Sequence, residues 1–398
     1  MVRFLDRTTP PHILTLVLIT GISALNMSIF LPSLAAMTTF FQTDYAIMQI
    51  ALSGYLAATA VLQVFIGPIS DRFGRRKLVL GAIAIFIVAS FGAMMATTIE
   101  LFLFFRILQA AVATSIALGR AIVRDMVPQD EAASMIGYVT MGMALVPMVG
   151  PMIGGALEQA FGWQSTFLFL TVAGMATFVL VYVDLGETVQ GKGVGFREQF
   201  RTYPELLRSP RFWGYVLCAA FASGAFFALL GGASFVAVEI FGLSPIWSGI
   251  ALGAPAIGYA AGNYFSGRFS VRLGINLMAM IGTVITIIGL GASFLLTLGG
   301  FQHPLVFFGF CTLLGLGNGI TLPNVLAGSV SVRPHLAGTA SGLGGAIMIG
   351  GGAALSQFAG GILTVETGTL PLQALMLGTV VMSFLAIAFV VWRERQIT

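Results

Sequence analysis

The sequence predicts an all-α membrane protein of twelve transmembrane helices in two six-helix pseudo-symmetric halves. Three observations predict it: a composition unsuited to a water-exposed surface, apolar runs of membrane-spanning length, and all basic residues but Arg106 and Arg120 falling in alternate connections. Of the 398 residues, 57% are hydrophobic and only 9% charged, against about 25% charged in soluble domains. Acyl chains solvate such a surface; water does not. The abundance of glycine suits helices that pack through small residues. Cys218 and Cys311 both lie inside apolar runs, which argues against a disulfide framework or a metal cluster. The net charge of +4 would by itself suggest a nucleic-acid partner, but where the charges sit along the chain decides otherwise.

Runs of about 20 apolar residues cross the hydrocarbon. They fall at 12–36, 46–69, 78–97, 100–122, 133–157, 164–184, 212–236, 247–267, 275–298, 304–330, 338–362 and 371–392. The first run is too long for a cleaved leader and lacks a small-residue cleavage site after it, so it reads as a retained helix. With a cytoplasmic N-terminus, one side receives Arg3, Arg7, Arg72, Arg75, Arg76, Lys77, Arg124, the basic residues of 185–211, Arg268, Arg272, Arg333, Arg393 and Arg395. The opposite side receives only acids: Asp44, Glu100, Glu158, Glu239 and Glu366. A wrong span count would scramble this segregation, so the positive-inside rule supports both the count and the orientation, with both termini cytoplasmic. The long polar connection 185–211 divides the chain into an N-terminal bundle, 1–184, and a C-terminal bundle, 212–398. A faint repeat relates the halves: Gly67-Pro-Ile-Ser-Asp71-Arg72-Phe73-Gly74 is echoed by Gly267-Arg-Phe-Ser-Val271-Arg272-Leu273-Gly274. Paired halves around a midplane site are a transporter architecture.

Three motifs carry the chemistry. In Gly67-Pro-Ile-Ser-Asp71-Arg72-Phe73-Gly74-Arg75-Arg76-Lys77, Gly67 permits close helix packing, Gly74 a tight turn, and Asp71 can accept from a helix N-terminus or an Arg. Basic anchoring to headgroups alone would not need this Gly and Asp spacing. In the fourth span, Arg106, Ala113, Ala117, Arg120 and Arg124 fall on one face of a regular α-helix. A lipid-exposed Arg costs about 2.5–3.5 kcal/mol or more, so the Arg106 face should look into a cavity or onto a polar partner; snorkelling to the interface accounts for Arg124 more simply. In the fifth span, Pro147-Met-Val-Gly150-Pro151-Met-Ile-Gly154-Gly155 should bend the helix and allow close packing.

Together these segments resemble the major facilitator superfamily, and Arg120 to Asp125, Tyr55, Gln63 and Gly338-Thr-Ala-Ser341-Gly resemble its Bcr/CflA drug-efflux subgroup. The resemblance covers nearly the whole chain and implies the major facilitator fold and export of small amphipathic molecules or drugs by alternating access, coupled to protons. It implies that Asp71 braces the second helix against the head of the eleventh, near Gly338, with Gly67, Arg72, Gly74, Arg75, Arg120, Arg124, Pro147, Gly150, Pro151 and Gly154 in the gating apparatus. The fifth-span motif resembles the antiporter motif of exporters, with Val146 in place of its usual upstream Gly. By the same resemblance, helices one, four, seven and ten line a central cavity with Asn26, Phe30, Arg106, Gln109, Phe226, Phe227, Asn318 and Asn324. For the two Asn residues, interhelical hydrogen bonding is the simpler role.

One departure stands out. Exporters of the subgroup carry an Asp four residues before a Pro in the first helix; here the stretch is Ser28-Ile-Phe-Leu-Pro32. No Asp or Glu lies deep in a span, so coupling would fall to a rim acid such as Glu239 or Glu158, or not be protonic. The missing acid and the retained Arg106 keep a second reading open, an uptake symporter or facilitator for a small anionic metabolite. The sequence has no HExxH, Gly-x-Ser-x-Gly, phosphate-binding loop or acidic ring, which argues against an enzyme, a pump driven by ATP or a channel. We expect no cofactor and no metal, and a monomer whose partners are its substrate, the bilayer and protons.

Overall fold

The structure, a computed structural model, describes residues 4–9, 11–126, 146, 149–188, 203–333 and 336–396. Among these residues there is no strand, and twelve apolar helical segments follow one another: α1 (Ile13–Phe40), α2 (Ile50–Phe73), α3 (Arg75–Met95), α4 (Ile99–Val123), α5 (149–161), α6 (Gln164–Asp184), α7 (Pro210–Ile240), α8 (Pro245–Leu273), α9 (Ile275–Leu298), α10 (Leu305–Ser331), α11 (Ala337–Ile362) and α12 (Leu370–Arg395). Ten of the twelve are long and apolar enough to cross a membrane, α5 and α8 being the others. α5 is described over its last turns only, and α8, at 29 residues, is about 43 Å long.

The helices overrun the hydrophobic runs that predict them. α2 continues past residue 69 to Phe73 and α8 past 267 to Leu273. Hydropathy marks the edge of the hydrocarbon, whereas helical hydrogen bonding continues until something stops it. In both cases the stop is a glycine in a left-handed conformation: Gly74 at φ 92° and Gly274 at φ 80°. The two halves thus share the same turn at equivalent places.

The most extensive packing pairs α8 with α10, α9 with α10, α7 with α11 and with α12, α3 with α6, and, across the halves, α2 with α11. Lipid supplies no hydrophobic drive between helices, so close backbone approach through small residues takes its place. The α8–α10 pair illustrates this: a Cβ on Gly258 would overlap the Thr312 carbonyl, and one on Gly315 that of Pro255.

We call the end of the bundle carrying Arg75, Arg76, Arg211 and Arg333 the basic end, and that carrying Asp44, Glu100, Glu158, Glu239 and Glu366 the acidic end. At the basic end, the chain start is clamped by an acid that hydropathy does not single out. Asp184, fully buried at the last residue of α6, accepts from the Leu5 and His12 backbone N–H groups at 2.7 and 2.8 Å and from the Thr15 hydroxyl at 2.6 Å. Three donors satisfy a carboxylate that burial would otherwise penalise.

Candidate functional site

At the centre of the first half lies Arg106, 0% exposed. Its Nε donates to the Ala51 carbonyl at 3.1 Å, one terminal nitrogen to Asn26 Oδ1 at 2.8 Å and to Gln109 Oε1, and the other to the Asn26 carbonyl at 3.3 Å. The guanidinium lies over the Phe30 ring at 4.1 Å and beside the Tyr55 ring at 5.2 Å. Gln109 is held in turn by Ser90, to which it donates at 2.7 Å, and Tyr55 donates to the Ser23 carbonyl at 3.3 Å. All of these acceptors are neutral. Desolvating such a cation costs several kcal/mol, offset here by four hydrogen bonds and two aromatic faces.

The expectation for Arg106 offered a cavity or a polar partner, and the structure has the second. Asn26, Phe30, Arg106 and Gln109, expected to line the substrate path, form one sealed cluster, each 0% exposed. In this conformation they are core, closed to any solute. Asn26 Nδ2 is buried without a partner. The regular face expected along the fourth span is also broken. Residues Gln109–Ala113 form a 3-10 turn, which winds tighter than an α-helix and rotates everything beyond it relative to Arg106. That local tightening leaves no trace in hydrophobic periodicity.

In the second half, Phe227 is buried and Phe226 half-buried. Asn318 Nδ2 donates to the Ala222 carbonyl at 3.1 Å, joining α10 to α7. Asn324 Nδ2 donates to Ser266 Oγ at 2.9 Å, joining α10 to α8, and to its own helix at Ile320. Both amides are interhelical ties in this state. An apolar cavity of about 290 Å³ between α8, α9 and α10 is lined only by residues such as Phe265, Phe269, Met278 and Ile281. It offers no polar group to orient a solute and is separate from the cluster.

At the basic end, the α2–α3 turn is built from distant parts of the chain. A Cβ on Gly74 would overlap the Glu187 carboxylate, which accepts from Arg75 N at 2.8 Å and so caps α3. The buried Arg75 side chain pairs with Asp125 at 2.6 Å and donates to Ser70 Oγ. Arg72 is exposed and turned to the Phe73 ring, 5.5 Å away. Gly67 and the side chains of Asp71, Arg120 and Arg124 lie outside the described residues, as does Pro147. Asp125→Asn should lower stability by about 1 kcal/mol, as for a partly screened pair. Thermal unfolding in detergent at low and high salt checks this: the gap between variant and wild type should narrow in salt.

At the acidic end the halves meet backbone to backbone. A Cβ on Gly155 would overlap the Pro245 carbonyl, and one on Gly249 that of Pro151, so α5 and α8 touch backbone to backbone. A Cβ on Gly154 would overlap the Ile29 carbonyl of α1, and Gly150 sits against Ser28 Oγ, 2.6 Å from where its Cβ would be. Between residues 46–53, at and before the start of α2, and α11, Gln49 donates to Ser356 Oγ at 3.1 Å, Ser53 to Gln357 Oε1 at 2.6 Å, and Gln357 Nε2 to the Ala46 carbonyl at 2.9 Å. Tyr45 donates to the Gly231 carbonyl at 3.1 Å, and Ser234 to that of Leu31. This latch contains no charge. Its Gln and Ser members gave no signal in the sequence, because partners some 300 residues apart leave no local pattern.

Comparison with known proteins agrees with this architecture. A 29% identical relative, an uncharacterized MFS-type transporter YdgK of Bacillus subtilis (strain 168), matches over 91% of this chain and 90% of its own. A chloramphenicol resistance protein of Pseudomonas aeruginosa is 28% identical over 82% and 79% of the two chains, and multidrug resistance protein D of Escherichia coli (strain K12) 25% over 93% of both. Among solved structures, a D-xylose-proton symporter superposes with a TM-score of 0.75 at 13% identity, covering 95% of this chain and 96% of the other. A bacterial homolog of the human lysosomal transporter Spinster, in an inward-facing and occupied conformation, gives 0.72 at 18% identity, covering 96% of both chains. The Major Facilitator Superfamily profile matches residues 16–357. The chain is a membrane transporter, and it belongs to the Major Facilitator Superfamily.

Proposed function

We propose that this protein exports small amphipathic organic molecules, antibiotics among them, across the bacterial inner membrane by alternating access, in exchange for protons. In this reading it acts as a monomer. The basic end and both termini face the cytosol, and residues 1–184 and 212–398 rock against each other about the 185–211 linker.

The observation that carries the reading is the seam at the acidic end. Backbone contacts at Gly155 and Gly249 and neutral hydrogen bonds from Gln49, Ser53 and Gln357 hold the halves together there. Glycine contacts and neutral bonds can be broken and remade at modest cost, as two-state opening requires. Resistance proteins among the relatives, matched over most of their length, support the choice of cargo. Arg106 motivated the anionic-uptake alternative, but its donors are bound to neutral acceptors in the core, so that alternative gains nothing further from it.

The test is expression in a drug-hypersensitive bacterial host. Raised resistance to chloramphenicol or another amphipathic compound is expected. Unchanged susceptibility across a broad panel, with the protein verified in the membrane, would refute the cargo assignment.

A further inference from the structure

Four of the five acids at the acidic end, Asp44, Glu100, Glu239 and Glu366, are exposed; Glu158 is half-buried. It lies just past the predicted fifth span, on the face of α5 that carries Gly150 and Gly154. That face runs parallel to α1, with Gly150 against Ser28 and Gly154 against Ile29. One turn on, Glu158 faces Ser33. One carboxylate oxygen of Glu158 and the Ser33 hydroxyl are both buried, yet they close no hydrogen bond of ordinary geometry. Three elements pack around this corner. They are α1 over residues 25–40, α8 over 244–252, in contact with Gly155, and the turn into α6, where Ser165 donates to the Leu157 carbonyl. None of these three stretches carries a titratable or charged side chain; α7, which meets residues 31–40 of α1 where Ser234 donates to the Leu31 carbonyl, carries the exposed Glu239 near its end.

We propose that Glu158 is a proton-binding site that ties closure of the acidic end to protonation from the solution on that side. The inference rests on the alternating-access reading. The proton comes from that solution when the seam closes and returns to it when the seam opens; no other group need accept it. Gly155, three residues before Glu158, is in backbone contact with α8, so parting α5 from α8 wets the carboxylate. Burial in the closed state pushes the Glu158 carboxyl above the ordinary carboxylate range, and Ser33 pulls it partly back. A half-buried carboxylate without a countercharge beside it is held more easily neutral than one in water.

The sign follows from linkage. The closed state binds the proton more tightly. Its advantage is complete below the ordinary carboxylate range, which applies to the open state, and is lost as pH rises through the elevated closed-state value. Acid on that side therefore favours closure.

The experiment places spin labels at Gln159→Cys and Trp247→Cys, both exposed positions flanking the α5–α8 seam, in the full-length protein. Cys218 and Cys311 are buried and unreactive by position. Pulsed EPR distances are read in phosphatidylethanolamine–phosphatidylglycerol vesicles from about pH 8 to about pH 5. The short-distance population should grow several-fold as pH falls. Glu158→Gln should hold it high and independent of pH, and Ser33→Ala should move the transition to higher pH, a readout that survives if Glu158→Gln fails to fold. A wild-type profile retained in Glu158→Gln, or a ratio of two distances insensitive to pH in the wild type, overturns the proton site alone. A single distance under all conditions overturns alternating access at this end as well. None of these outcomes depends on which drug is carried.

Discussion

Arg106→Lys is expected to abolish measurable transport and to lower the unfolding temperature in detergent, even though it keeps the charge. The guanidinium reaches the Ala51 carbonyl, the Asn26 carbonyl, Asn26 Oδ1 and Gln109 Oε1 in one plane while lying over Phe30. An ammonium has three donors, no plane and a stronger hold on water, so it cannot serve these acceptors together. Arg106→Ala removes the buried charge, which relieves a penalty of several kcal/mol, but strands those oxygens at about 1–3 kcal/mol each. The net effect should be loss of stability as well as of activity. Because the residues form one network, a double-mutant cycle with Asn26→Ala should show coupling of about 0.5–3 kcal/mol. Wild-type melting and transport in Arg106→Lys would show that the cluster neither holds the first half together nor shapes its path.

Gly155→Ala is expected to have a comparably large effect on transport with a small effect on folding of each half. Its Cβ would overlap the Pro245 carbonyl, and backbone cannot yield as a side-chain tip does. The substitution should wedge α5 from α8, at the overpacking cost of about 1–3 kcal/mol, and bias the protein toward an open acidic end. The neighbouring Ala156 is exposed, so Ala156→Val serves as the control and should transport normally. Equal activity in Gly155→Ala and Ala156→Val would mean that the α5–α8 contact is not part of the working cycle.

Much of the fold was legible because a membrane imposes simple physics. Span length, the segregation of Arg and Lys, and the paired glycine turns at Gly74 and Gly274 are all written locally in the chain. The functional interior was less legible. That Arg106 needs a polar environment follows from the cost of a cation in lipid. That its partners are Asn26, Gln109 and a backbone carbonyl of α2 does not, since it depends on how α1, α2 and α4 meet. The cap of Glu187 on α3, the clamp of Asp184 on the chain start and the latch between Gln49 and Ser356 join segments over 100 residues apart or more. Periodicity records which face a helix buries, not which residue it meets there. The 3-10 turn at Gln109–Ala113 was hidden for a related reason: hydrophobic spacing does not distinguish 100° from 120° per residue over a single turn.

The most direct measurement is substrate movement in proteoliposomes holding the full-length protein, with chloramphenicol as probe and an imposed proton gradient. The account predicts chloramphenicol moving opposite to the proton flow, with collapse of the gradient abolishing its accumulation. Movement in the same direction as the protons, or none above protein-free vesicles, would contradict it.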